Sequence, residues 1–376
     1  MEEVQEMINL KNLDKSSWTT WRFDEIAFKV SETVDPAKTD LEIYVGLEHL
    51  DAEDIHIRRK GTPSDVKGGK LRCYPGDIIF GKRRAYQRKA AIVDFDGICS
   101  AHAFVFRANP KVINPKLFPF FLHSDAFMHK AVDISVGGLS PTINWGDLKS
   151  QEFVLPPTDQ QAQLTELLWA MDEVIEKERV VLEVLHNTSK TVFESMVRGM
   201  EGEMVPLSDL LIPKKEKSKQ PHENTKYIGL EHIESGAFKC YEYGDSNEVL
   251  AQCNVIKEGD LCYSKLRPYL DKAFISDFNA VSTTELLIYD TKNISKEYAL
   301  YHFHSRSFLN YVTGKGFGTK MPRVSHKIIG DYEIKVLNDE AYILESMARF
   351  QKGLRICKSR IDRSQALQRS MINEIF

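Results

Sequence analysis

The chain carries one passage twice, and that constrains its fold more than any other feature. Residues 74–86 read YPGDIIFGKRRAY and residues 257–269 read KEGDLCYSKLRPY. Gly76, Asp77, Lys82, Arg84 and Tyr86 fall on Gly259, Asp260, Lys265, Arg267 and Tyr269, each pair 183 positions apart (259 − 76). YVGLEHL at 44–50 returns as YIGLEHI at 227–233 with the same separation. Further along, the offset shortens by two. Phe121-Leu122-His123-Ser124 then faces His302-Phe303-His304-Ser305, and Pro141 faces Pro322. Solenoid units run roughly 20–50 residues, so this is a duplicated domain, and 376 residues suffice for two such domains with a core in each.

A different kind of sequence follows each copy. Residues 158–198 lack proline and space apolar residues by threes and fours: Leu164, Leu168, Met171 and Ile175, then Leu182, Leu185, Val192 and Met196. Glu178 and Ser189 interrupt the series. Residues 339–376 repeat the pattern with Ile343, Met347, Phe350, Leu354, Ile361, Met371 and Ile375, while Cys357, Ser364 and Gln368 fill the remaining seam positions. Such spacing predicts a heptad seam on a long helix. A seam of this kind serves intramolecular pairing or homodimerisation equally well. The passages PPTDQQ and LNDEAY supply N-terminal caps with anionic first turns.

The predicted order is therefore a first globular copy at 17–157, a helix at 158–198, a second copy at 199–338 and a helix at 339–376. Within the copies, runs such as DIIFG, KAAIVDF, AFVFRA and QEFVLP predict short strands, and DLCYSK, KAFISDF, TELLIYD and YEIKVL predict their counterparts. Helices are expected near 115–131 and 296–311. The fold class expected is α+β: two duplicated domains with mostly antiparallel sheets, and two long helices forming an antiparallel coiled-coil spacer with pseudo-two-fold character. At 1.5 Å per residue, a helix of about 40 residues would hold the copies about 60 Å apart, nearly two turns of B-DNA.

The net charge of −4 decides nothing, but its distribution is informative. From Arg58 to Lys89 there are eleven Lys or Arg against two acids, Asp65 and Asp77. That stretch is either a polyanion site or a solvated loop. The six cysteines form no C-x-x-C pair and read as reduced structural thiols of a cytosolic protein. No run of about 18 apolar residues is present, and the opening MEEVQEMINL has no secretory pattern.

Enzymatic constellations are missing from the sequence. It has no N-P-P-Y or D-P-P-Y methyltransferase signature and no G-x-x-x-x-G-K-[ST] phosphate loop. Glu333-Ile334-Lys335 matches the tail of a nuclease metal site, but Asp331 stands too close to be its second carboxylate.

The motif G-D-[aliphatic]-x-[aromatic]-[small]-K-x-R in both copies, with the passage GGLSPTINWGDLKSQEFVLPPTDQQ, resembles the specificity subunit of a Type I restriction-modification system. The resemblance covers the chain from about Trp18 onward. It implies two target recognition domains alternating with two helical regions, and no catalysis in this chain. It also implies double-stranded DNA and two methyltransferase subunits as partners. The methyltransferase subunits would carry S-adenosylmethionine, no cofactor would bind this chain, and restriction and translocation subunits would join a cytoplasmic complex. The helices, through Leu164, Leu168, Met171, Ile175, Ile343, Met347, Phe350 and Leu354, would serve as spacer and partner-binding surface. The other reading is a coiled-coil scaffold whose duplicated domains bind proteins.

On the DNA reading, Asp77 and Asp260 cap a turn into a strand. Alternation along the strand would then bring Lys82 and Arg84, or Lys265 and Arg267, to one face. Two such cations suit neighbouring phosphates, and arginine can also grip a guanine edge. Arg83 and Arg88 join them from the same basic run. Tyr86 and Tyr269 are read as packing groups. A second candidate surface is the glycine-rich loop: Ser140, Thr142 and Asn144 after Gly137-Gly138, and Lys320, Arg323 and Ser325 beside Gly314, Gly316 and Gly318. Salt bridging and an ordinary turn are the respective alternatives.

Overall fold

The apolar run Phe104–Ala108 becomes an interior strand of a four-stranded antiparallel sheet, because side chains on both its faces find cover. The order is Ala27–Val30, Phe104–Ala108, Ile78–Phe80, Ala90–Ile92. A second sheet runs Thr33–Val34, Lys70–Cys73, Gly97–Cys99, Tyr44–Val45, with only the last pair parallel. Thr19–Arg22 and Glu152–Leu155 form a separate antiparallel ribbon. The second copy repeats this topology with Leu211–Lys214, Leu286–Thr291, Leu261–Ser264 and Ala273–Ile275 in one sheet. Its ribbon is Gly202–Pro206 with Glu333–Leu337. This computed structural model describes residues 13–318 and 321–376. The acidic opening MEEVQEMINL and Lys320 lie outside the described residues. No helix among the described residues is long and apolar enough to cross a membrane.

Packing divides the chain into two units that do not follow the linear boundaries 17–157, 158–198, 199–338 and 339–376. One unit runs to Arg179 and takes in Ser359–Phe376; the other is Val180–Lys358. The long helices, Thr158–Gly199 and Ala341–Ile375, are each divided between the two units. In the first unit, Leu164 and Leu168 join Ile372 and Ile375 in the core of the first copy. In the second, Phe193 and Val197 join Ile343 and Met347 in the core of the second copy. Seam positions that break the apolar series find polar partners on the facing helix: Ser364 donates to Glu178 (3.2 Å) and Gln368 lies 3.5 Å from Asp172. These pairings run antiparallel, as expected, and polar seam pairs select one register.

The seam residues thus correct one expectation. Leu164, Leu168, Ile175, Ile343 and Met347 are buried within their own units, and Met171, Phe350 and Leu354 are half-buried. They are packing groups, not an open partner-binding face. The helices expected near 115–131 and 296–311 are each broken in two. Ser124 ends Phe118–His123 and caps Asp125–Asp133 by accepting from the Phe127 N–H. Ser305 caps Arg306–Lys315 in the same way, after Lys296–Phe303.

The copies differ inside. Phe121 packs edge-on against Phe127 and Phe153 in the first copy, whereas His302 holds the equivalent place against Phe193 and Tyr298. Burial pushes the His302 imidazole down to about 3, so the folded state holds it neutral and its Nε2 has no partner. An unfolded chain binds that proton below about pH 6.5, so the site costs stability as pH falls from there toward 3. His302→Phe is therefore expected to stabilise the second unit, by about 2 kcal/mol more at pH 5 than at pH 7. Hydrogen exchange of peptides around 298–312 measures this. An equal gain at both pH values would count against a buried neutral histidine.

Candidate nucleic-acid interface

Each copy of the motif opens with a tight turn. Asp77 is buried and accepts from the Tyr74 N–H at 3.0 Å, while Gly76 takes φ 90°. Asp260 accepts from the Lys257 N–H at 2.9 Å, with Gly259 at φ 82°. Positive φ is the conformation glycine adopts at no steric cost. The two aspartates are held by cations from another strand, Arg107 (2.8 Å) and Lys214 (2.5 Å) respectively. The turn-cap expectation is met.

The strand expectation is not. The first-copy strand ends at Phe80 and its counterpart at Ser264, so Lys82 and Arg84 are not placed by strand alternation. Their segment crosses instead to the glycine-rich loop. Lys82 C=O accepts from the Ile143 N–H (2.9 Å), and the Arg84 N–H donates to Pro141 C=O (2.7 Å). The second copy reproduces both bonds: Val324 N–H to Lys265 C=O (2.9 Å) and Arg267 N–H to Pro322 C=O (2.7 Å). The two surfaces proposed from sequence are therefore one surface in each copy. At the crossing, Arg84 takes φ 56° and Arg267 φ 50°, a left-handed backbone that costs a non-glycine residue about 1 kcal/mol or more. A short 3₁₀ turn follows, Ala85–Gln87 or Pro268–Leu270.

Carboxylates narrow the basic stretch. Arg58 pairs with Asp54 and Glu176, Arg59 with Asp51, Lys60 with Asp94 and Arg72 with Asp96. Among the described residues, Lys82, Arg83 and Arg84 have no carboxylate partner, and neither do Lys265 and Arg267. Lys82 is half-buried over the Phe104 ring (5.1 Å). Burial, with nearby Lys29, holds its ammonium below the usual lysine range. In the second copy, burial, Lys215 and Lys265 together push His326 down. Uncompensated positive charge thus converges on the same place in both copies, as a polyanion site requires.

Several predicted contacts are otherwise engaged. Arg88 lies 2.7 Å from Asp125 and 3.0 Å from Glu53 and donates to His123 C=O. Its repeat partner is Asp271, an acid, which binds His304 (2.6 Å) and Lys190 (2.7 Å). Burial opposes the charge on Asp271, but His304 and Lys190 hold its carboxyl below the usual range. A position that tolerates either sign with an inward partner anchors the loop, so Arg88 is removed from the contact set. Ser325 caps the helix His326–Gly330 by accepting from the Ile328 N–H, and Asn144 precedes the matching turn Trp145–Leu148 with its amide 3.3 Å from Asp147. Arg323 is 3.2 Å from Glu285 and so is partly neutralised. Ser140 accepts from Arg83 Nε (2.6 Å), and Thr142 bridges the backbones of Arg83 and Val136. Lys335 of the nuclease-like triplet donates to Arg198 and Met200 carbonyls. Among the described residues, no group of three or more His, Cys, Asp or Glu could hold a metal ion.

Sequence reasoning missed two things. Lys89 Nζ donates to Leu47 C=O (2.7 Å) and Lys272 Nζ to Leu230 C=O (2.6 Å), tying the GLEH passage to the motif. That passage is itself folded by its histidine, which accepts from the Gly46 N–H in one copy and the Gly229 N–H in the other. The identity of Lys89 and Lys272 at the repeat spacing was the available signal. Tyr86 and Tyr269, read as packing groups, are instead 54% and 51% exposed.

Residues 49–185 match the family model described as the Type I restriction modification DNA specificity domain. A stretch of 190 residues, 49% of this chain, is 27% identical to the Type I restriction enzyme EcoDI specificity subunit of Escherichia coli, of which it covers 42%. The match therefore spans less than half the length of that relative. Among solved structures, 94% of this chain matches 96% of a chain from "Structural basis underlying complex assembly and conformational transition of the type I R-M system", with a TM-score of 0.50 and 17% identity. A crystal structure of the HsdS subunit from Thermoanaerobacter tengcongensis matches 96% of this chain over 97% of its own, with a TM-score of 0.41 and 17% identity.

If Arg88 anchors the loop, Arg88→Ala leaves Asp125 without its cation and Glu53 with Arg369 alone. The expected loss is about 1–3 kcal/mol, read as a lower urea midpoint by tryptophan fluorescence, since all four tryptophans lie in the first unit. An unchanged midpoint would return Arg88 to the contact set.

Proposed function

We propose that the chain is a Type I restriction-modification specificity subunit, a non-catalytic recognition subunit that reads a bipartite, gapped site in double-stranded DNA; the match of residues 49–185 to the family model and the likeness to the EcoDI subunit support this reading. Each copy would read one half-site. The observation that carries this reading is the recurrence, bond for bond, of one loop that presents cations without carboxylate partners among the described residues: Lys82, Arg83 and Arg84, and Lys265 with Arg267. Such cations bind phosphates and set the register of a protein on the duplex. Residues that differ between the loops, Ser140 and Thr142 against Arg323, are suited to reading different bases.

Two methyltransferase subunits would dock on the outer faces of the long helices, where Val174, Val181 and Val184 are exposed. They would bind S-adenosylmethionine and methylate an adenine taken out of the stack. Restriction and translocation subunits would complete the nuclease in the cytoplasm. The number of base pairs between the half-sites would follow the length of the helical segments.

The primary test is a base-resolution methylation map in a host without other DNA methyltransferases. Methyladenine confined to one gapped motif, and lost when this chain is deleted, is the expected outcome; methylation that persists unchanged would leave recognition to another chain. Arg84→Ala and Arg267→Ala should each weaken binding and lower the slope of log affinity against log salt by about one unit. Unchanged slopes for both would remove the loop from the phosphate contacts. Deleting one heptad from both helices should shorten the gap and leave the outer bases of the motif as they were. A variant that keeps the original gap would refute the spacer role.

A further inference from the structure

Tyr86 and Tyr269 are aromatic side chains at matching positions of the two copies. Both are about half exposed, and among the described residues neither ring packs on another and neither hydroxyl has a hydrogen-bond partner. Their backbone is nonetheless tightly specified. Tyr86 sits in a turn bounded by left-handed Arg84 and Arg88, and Tyr269 in one bounded by left-handed Arg267 and Asp271. The preceding residue, Ala85 or Pro268, is buried and pins the turn to the core. Strain of this kind persists only where the surroundings impose it, and here it aims a ring outward.

The surroundings indicate the ligand. The crossing bonds set Arg83 and Arg84, just before Tyr86 in the chain, against the glycine-rich loop, whose Val136 and Leu139 are 63% and 97% exposed. In the second copy Tyr269 follows Arg267 by two residues, and Phe317 and Met321 of the loop that Arg267 meets are also exposed. Unpaired cations beside exposed apolar and aromatic groups are the combination that engages phosphates and base faces together. The ring is the same in both copies, although the neighbouring side chains differ. A contact shared by readers of unlike half-sites must be indifferent to base identity, and ring stacking is, since every base has a π-face.

We propose that Tyr86 and Tyr269 each stack on a nucleobase at a locally opened step of the duplex, one in each half-site, as a sequence-neutral contact. The inference rests on the DNA reading above, and the test separates the two. This chain would be co-expressed with its methyltransferase subunits, and the complex titrated at several salt concentrations with a duplex carrying the mapped motif. Wild-type binding that shows no preference for that duplex would overturn the DNA reading itself. Given specific wild-type binding, Tyr86→Leu and Tyr269→Leu should each weaken it roughly five- to hundredfold without changing the salt slope. Tyr86→Phe and Tyr269→Phe should bind like the wild type. Leucine variants that bind normally would overturn stacking. So would phenylalanine variants as weak as the leucine ones, which would assign the effect to the hydroxyl. Loss of methyltransferase subunits from the leucine complexes would make the rings a protein contact and overturn the proposal as well.

Discussion

The proposed recognition surface depends on two backbone hydrogen bonds, made once in each copy, that splice the motif to the glycine-rich loop. The bond from the Arg84 N–H to Pro141 C=O and its partner at Lys82 help to hold the left-handed bend at Arg84, together with buried Ala85. With these bonds, the backbone that carries the cations and the tyrosine is fixed before any ligand arrives, which lowers the part of the binding cost that ordering the loop would add. Arg267, Pro322 and Lys265 repeat the device.

Behind that surface, a layer of charge ties each loop to a long helix, and its sign is inverted between copies. In the first copy the loop contributes Arg88, the acids are Glu53 and Asp125, and Arg369 of the second long helix pairs with Glu53. In the second copy the loop contributes Asp271, and Lys190 of the first long helix binds it directly. Each helix thus sends a cation toward the base of a reading loop. Because the loop residues are opposite in sign, the copies have become non-interchangeable in their interiors while remaining alike in backbone.

The duplication, the α+β class, the antiparallel helix pairing and most strand positions were legible in the sequence, because each leaves a periodic or repeated trace. The breaks at Ser124 and Ser305 were not read, because apolar spacing continues across them and only the serine caps mark the interruption. The seam residues Leu164 and Met347 were correctly read as buried helix positions but wrongly offered as a partner surface, since periodicity says that a face is apolar and not what covers it. The site was legible as a motif but not as a geometry. Lys82 and Arg84 lie beyond the strand that seemed to place them, and Arg88 could not be separated from its neighbours because its acids, Glu53 and Asp125, are distant in sequence.

The identical residues of the two copies therefore mark two different things. Asp77 with Asp260, Lys89 with Lys272, and the glycines of the turns are identical because they build the backbone that the bonds above require. Lys82 with Lys265, Arg84 with Arg267, and Tyr86 with Tyr269 make few side-chain contacts in the fold and leave their charges and rings outward. Folding alone does not account for their identity at the repeat spacing; a ligand feature present at both half-sites would. The phosphate backbone and the stacked faces of bases are what any two duplex sequences have in common, and on the proposed reading these are what the repeated cations and ring would meet.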